Sequence, residues 1–139
     1  MTDPDLPAPS EGFVLTHFAV VSDQDRSREW YERVLGAKTV NPRDPVIMKV
    51  ANGWITLNVG GGPTVDKPDV VLDVPSDPNR TSSFLNIRVA DVQKAYREWR
   101  AAGAEFLTEP KDLGQEIRCY MRDPDGHLIE VGQTTRALG

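Results

Sequence analysis

The chain has 139 residues, 39% of them hydrophobic and 27% charged, with a formal net charge of −5. That is the balance of one soluble domain long enough to bury a core. The acidic excess and the lack of a basic run argue against nucleic acid as a partner, and no apolar run reaches membrane-spanning length. Cys119 is the only cysteine, which excludes an intrachain disulfide and fits a reducing cytoplasm. Within a strand pattern it reads as a small core residue rather than a nucleophile.

Residues 1–12 are rich in Pro and Asp and lack an apolar h-region, so they read as a disordered leader, followed by a single domain over 13–135. Residues 13–21 form a nearly continuous apolar run holding Thr16 and His17, the pattern of a strand buried on both faces. Ser22-Asp23-Gln24-Asp25 offers helix caps, and Trp30, Tyr31, Val34 and Leu35 then recur at helical spacing until Gly36 ends the helix. Short strands are predicted over 37–40, over 46–51 and, after the hairpin signal Asn52-Gly53, over 54–60. The connection 61–82 is glycine- and proline-rich. It has no helix or Lys-Ser/Thr after its glycines to make a phosphate cradle; residues 61–80 are expected to be more mobile than either unit, with part of the stretch lining a site.

A second unit repeats the first. A strand over 83–89, the cap Asp91, an apolar stripe of Val92, Ala95, Tyr96, Trp99 and Ala102, then Gly103 and a strand over 104–107 lead through a loop into a hairpin. Its turn is Asp123-Pro124-Asp125-Gly126, where proline presets φ and glycine accepts a positive φ. Val21, Asp23, Ser27 and Tyr31 correspond to Val89, Asp91, Ala95 and Trp99 at a shift of 68. The expectation is an α+β fold of two βαβββ modules, 13–60 and 83–133, forming a cupped, partly closed mixed sheet with helices on the convex face.

Alternation assigns the faces. Ile55, Leu57 and Val59 suit a helix-covered side, as do Leu85, Ile87 and Val89, and Ile129 and Val131. Thr56, Asn58, Phe84, Asn86, Arg88 and Glu130 then face the cleft. Arg88 there would pair with Glu130 or an anionic ligand, or else lie on the rim in water. His17 has two placements. Strict register turns it under the first helix, whereas a β-bulge would swing it into the cleft. His127 reads as a surface residue beside the turn.

Residues 21–27 (Val-Ser-Asp-Gln-Asp-Arg-Ser), Trp30-Tyr31, Leu35-Gly36, Asp123-Pro124-Asp125-Gly126 and Ile129-Glu130 together resemble the vicinal oxygen chelate superfamily, which includes glyoxalase I, extradiol dioxygenases, fosfomycin-resistance enzymes and bleomycin-binding proteins. The resemblance implies a divalent metal (Zn, Ni, Mn or Fe) chelating neighbouring oxygens of a small substrate. Glu130 matches one family ligand position and serves as the candidate catalytic group. His17 is the other candidate ligand. Phe84 stands where a third ligand would be, leaving the set incomplete. Two main functions follow: a glyoxalase- or dioxygenase-like enzyme using Glu130 and a weakly held metal, or a metal-free binder whose cleft, lined by Trp54, Phe84, Asn86 and Glu130, sequesters a drug or metabolite. An orphan accessory protein is a third. A homodimer is expected, as is survival of the fold in Glu130→Ala and stronger metal binding in Phe84→His.

Overall fold

A computed structural model describes residues 6–136, so residues 1–5 of the expected leader lie outside it; residues 6–12 carry no helix or strand. The chain divides between Ser76 and Asp77 into two compact units. Each is a helix against its own open sheet, and the two repeat one topology.

The first unit runs β1 (Thr16–Val20), α1 (Gln24–Leu35), β2 (Lys38–Asn41), β3 (Val46–Val50) and β4 (Gly53–Asn58), in the sheet order β1-β4-β3-β2. The predicted cap forms: the Asp23 carboxylate accepts from the Arg26 N–H at 3.1 Å, and Gly36 closes α1 at φ 68°. Ser27, Trp30, Tyr31 and Val34 of α1 are buried, as are Ala19, Val46, Met48, Ile55 and Leu57 of the sheet. Register decides this core. Met48 pairs with Ile55 and Val46 with Leu57, which keeps all four on the α1 side. The same register places the hairpin turn at Ala51-Asn52, one residue earlier than the Asn-Gly signal suggests, because Val50 pairs with Gly53.

Strand β1 is shorter than its apolar run. Thr16 pairs with Trp54 near the start of β4, so in this parallel pair the residues before Thr16 run past the end of their partner. Phe13 and Leu15 are accordingly exposed, at 84% and 80%, and the expectation of a doubly buried strand over 13–21 fails there.

The second unit runs β5 (Leu85–Arg88), α2 (Val92–Ala101), β6 (Glu105–Phe106), β7 (Lys111–Asp112), β8 (Glu116–Arg122) and β9 (Leu128–Thr134). Its order is β5-β9-β8-β6, with β7 also pairing with β8; β7 lies where the sequence suggested only a loop. Asp91 caps α2 through the Lys94 N–H. The Gln133 side chain accepts from the Val92 N–H at 2.9 Å, fastening the helix start to the last strand. Val92 and Ala95 are buried, together with Cys119, Met121, Ile129 and Val131. Burial pushes the Cys119 thiol up to about 11, which suits a packing residue and not a nucleophile.

The turn between β8 and β9 is organised by Asp123. Its buried carboxylate accepts from the N–H groups of Asp125 and His127, and Gly126 takes φ 89°. The connection of 61–82 is shared between the two units. Gly61 and Leu72 exchange two backbone hydrogen bonds of 2.9 Å, which folds the first part back on its own unit. A pocket of about 340 Å³ opens there beside Val21, Ser22, Val59, Val71 and Leu72. In the second unit, Arg122 donates to the Pro78 carbonyl at 2.7 Å and to the Asn79 side chain at 2.6 Å. None of the helices among the described residues is long and apolar enough to cross a membrane.

Candidate ligand-binding face and its charge ring

In the second unit the strands β5, β9 and β8 lie side by side, with Asn86 opposite Glu130 and Glu130 opposite Tyr120. One residue pair further along, Arg88, Gly132 and Arg118 form the next row. Because Ile129, Val131, Cys119 and Met121 fill the core, these rows occupy the face turned away from it. Glu116 and Thr134, paired with each other, continue the same face.

Glu130 is 5% exposed, and a buried carboxylate needs partners. It has three. The Tyr120 hydroxyl donates to Oε1 at 2.8 Å, Arg118 Nε lies 3.9 Å from the same oxygen, and Arg88 Nη1 lies 3.5 Å from Oε2. Glu116 bridges the same two arginines from the other side, with Oε1 at 3.3 Å from Arg88 Nη1 and Oε2 at 3.7 Å from Arg118 Nη1. The four residues therefore close a ring of alternating charge in which each carboxylate turns one oxygen to each guanidinium. Arg88 Nη2 donates to Thr134 Oγ1 at 3.0 Å. Burial, and then the hydrogen bond to Glu130, raise the Tyr120 pKa above its ordinary value.

The Phe84 ring stands beside this ring of charge, edge to face with Tyr120 at a centroid distance of 6.0 Å and an interplanar angle of 75°. Phe84 is 42% exposed. The Arg118 guanidinium lies 5.8 Å from the Tyr120 ring centre. The second unit thus offers a face with an aromatic corner and a fixed polar floor. Phe84, Asn86, Arg88 and Glu130 meet on it.

In the first unit, Trp54, Thr56 and Asn58 share the sheet face turned away from the buried residues of α1, along with Phe18. Lys49 sits 5.5 Å over the Trp54 ring. The Asn58 side-chain oxygen accepts from the Val59 N–H at 2.8 Å, so part of its capacity is used locally. His17 lies on the other face, in register with Ile55 along an unbroken β1–β4 ladder. The bulge that would have turned it toward Thr56 is absent, and strict register prevails.

A family model described as the Glyoxalase/Bleomycin resistance protein/Dioxygenase superfamily matches residues 14–131. The chain belongs to this superfamily. It is 31% identical over 120 residues to a lactoylglutathione lyase of Arabidopsis thaliana, a match covering 81% of this chain but only 41% of that protein. It is 28% identical over 122 residues to the metallothiol transferase FosB of Shouchella clausii, covering 84% of this chain and 77% of the relative. Among solved structures, a glyoxalase/bleomycin resistance protein/dioxygenase from Nocardioides has a TM-score of 0.71 at 19% identity, over 95% of this chain and 93% of that one. That likeness supports the vicinal oxygen chelate fold, and each unit of the described residues pairs one helix with one open mixed sheet.

A superfamily member's metal would be expected at Glu130. The residues around it do not fit one. A divalent ion approaches a carboxylate oxygen to about 2.0–2.6 Å, and here both oxygens of Glu130 are flanked by guanidinium nitrogens. No group of three or more His, Cys, Asp or Glu side chains among the described residues is placed to hold a metal. His17, the other ligand suggested by sequence, is on the helix-side face of its own sheet.

Four residues of the ring and its surroundings were missed from sequence: Glu116, Arg118, Tyr120 and Gly132. The first three were signalled by their alternation with Ile117, Cys119 and Met121, the same argument that placed Arg88 and Glu130. Gly132 gave no signal, because its role depends on a side chain from the neighbouring strand.

Proposed function

We propose that this chain binds a drug- or metabolite-sized organic molecule on the aromatic and polar strand face of its second unit, without a resident metal and without turnover. The observation carrying this reading is the partner set of Glu130, whose two oxygens are engaged by Tyr120, Arg88 and Arg118. An engaged carboxylate with fixed guanidiniums beside it supplies orientation and polarity to a ligand, while Phe84 supplies exposed ring surface. A second reading, metal-dependent modification of a small substrate with Glu130 as ligand and catalytic group, is favoured by the similarity to a protein named a metallothiol transferase.

Thermal unfolding of tag-free protein, stripped with chelator and then titrated with Zn, Ni, Mn or Fe(II), separates the two. A metal held at 100 times its dissociation constant would add about 2.7 kcal/mol, or roughly 8 °C in a chain of this size. The metal-free reading expects no saturable shift with any of the four. A saturable rise of that order would replace it with the second.

A homodimer is also proposed, because β1 and β2 are the open edges of the first sheet and such edges are ordinarily covered or blunted. Sedimentation velocity at high micromolar concentration is expected to show a dimer. A single monomeric boundary would count against it.

A further inference from the structure

We propose that Arg88 is a built-in cation that keeps divalent ions out of the space between Glu116 and Glu130, and that Gly132 is the residue that lets it do so. The inference rests on the metal-free reading of the same face and adds to it a residue-level cause.

One nitrogen, Arg88 Nη1, lies 3.3 Å from Glu116 Oε1 and 3.5 Å from Glu130 Oε2. A cation bridging two carboxylates would have to sit between those same oxygens. The side chain is held there from its other end, since Nη2 donates to Thr134 Oγ1 at 3.0 Å. It reaches the spot by crossing β9 directly over Gly132, its own strand partner. A Cβ at position 132 would stand 2.2 Å from Arg88 Nη1 and 2.8 Å from Cζ. No side chain fits under the guanidinium. Any residue larger than glycine must push it off the ring, and the long, flexible arginine is the part free to move.

The charge count explains the exclusion. Two carboxylates and two guanidiniums sum to zero, so the intact ring has no net attraction for a cation. A tethered guanidinium also acts at a high effective concentration against any free ion. Without Arg88 the ring carries one net negative charge, and it keeps two carboxylates and the Tyr120 hydroxyl beside an opening lined by oxygen. Oxygen donors without imidazole or thiolate suit hard cations of the Ca²⁺, Mg²⁺ and Mn²⁺ class.

The probe is Mn²⁺ itself, followed by water-proton relaxation and calorimetry on the full chain. Wild type is expected to show no saturable binding. Arg88→Ala should bind Mn²⁺ saturably, with a dissociation constant at least about tenfold below the highest Mn²⁺ concentration at which wild type shows no saturation. Gly132→Ala should move in the same direction, because its methyl displaces the guanidinium without removing it. The double variant Arg88→Ala/Glu130→Gln should fall back to wild-type behaviour. If Gly132→Ala does not fold, Arg88→Gln, which shortens and neutralises the side chain in place, carries the test with Arg88→Ala. Folded Arg88 variants that stay silent to Mn²⁺, or a gain that survives Glu130→Gln, would overturn the assignment of Arg88 alone. Saturable Mn²⁺ binding by wild type would overturn the metal-free reading along with it.

Discussion

Replacing Glu130 with alanine is expected to destabilise the protein by about 3 kcal/mol, the low end of the cost of breaking a buried ion pair by removing one partner. The low end applies because the arginine side chains are 40% and 38% exposed and recover part of their hydration once the carboxylate is gone. Glu130, at 5% exposure, is the buried member, and its removal leaves Arg88 and Arg118 facing each other with only Glu116 between them. The Tyr120 hydroxyl also loses its acceptor. With a urea m-value of about 2 kcal/mol/M for a small domain, the midpoint should drop by about 1.5 M. Glu130→Gln keeps an acceptor for Tyr120 and should lose about half as much. A midpoint unchanged in Glu130→Ala would mean that the ring contributes nothing to folding. The prediction reverses the expectation from sequence that this substitution spares the fold. A carboxylate imagined as waiting for a ligand gains nothing from its surroundings, whereas one that ties three side chains together does.

The same contrast shows what the chain made legible. Asp23 and Asp91 announce their helices because a capping carboxylate acts within three residues of itself, and Gly36 announces the end of α1 for the same reason. The topology of each unit follows from the repeat, and the face of each strand from period-two alternation. That argument correctly placed Ile55, Leu57, Ile129 and Val131 in the cores, and Glu130 opposite them. Two kinds of fact escaped. The first is the reach of a strand beyond its partner: residues 13–15 look like strand core, but their exposure depends on where β4 begins, which the local pattern does not contain. The second is partnership across strands. Alternation states that Arg88, Arg118, Glu116 and Glu130 share a face, but not that an arginine crosses a glycine to join two carboxylates. That requires the register Arg88–Gly132–Arg118. The expectation of a metal at Glu130 took it as a free ligand, whereas the register surrounds it with Arg88, Arg118 and Tyr120.

The connection after β4 supplies the other large expected effect. Gly60→Ala should cost about 2–4 kcal/mol, the penalty of forcing volume into a packed place that cannot give. An added Cβ would lie 2.2 Å from the Leu72 carbonyl oxygen, 3.1 Å from its carbon and 3.3 Å from Val20 Cγ1. The nearest obstacle is backbone, and it is pinned: the Leu72 N–H and carbonyl each pair with Gly61 at 2.9 Å. Relief therefore requires the segment from Gly61 to Leu72 to lift away, losing both hydrogen bonds together. Gly61 and Gly62 make the internal control, because a Cβ at either meets nothing within 4 Å. Alanine at those positions should change stability by no more than about 0.5 kcal/mol. If the run Gly60-Gly61-Gly62 were uniformly flexible, the three substitutions would be equivalent. Read from the close approach of Leu72, only the first matters. Urea denaturation of the three variants, with limited proteolysis across residues 61–74, separates these views. A new cleavage in that segment and a lowered midpoint are expected for Gly60→Ala alone; equal midpoints for the three variants would show that the connection is not held against the sheet at all.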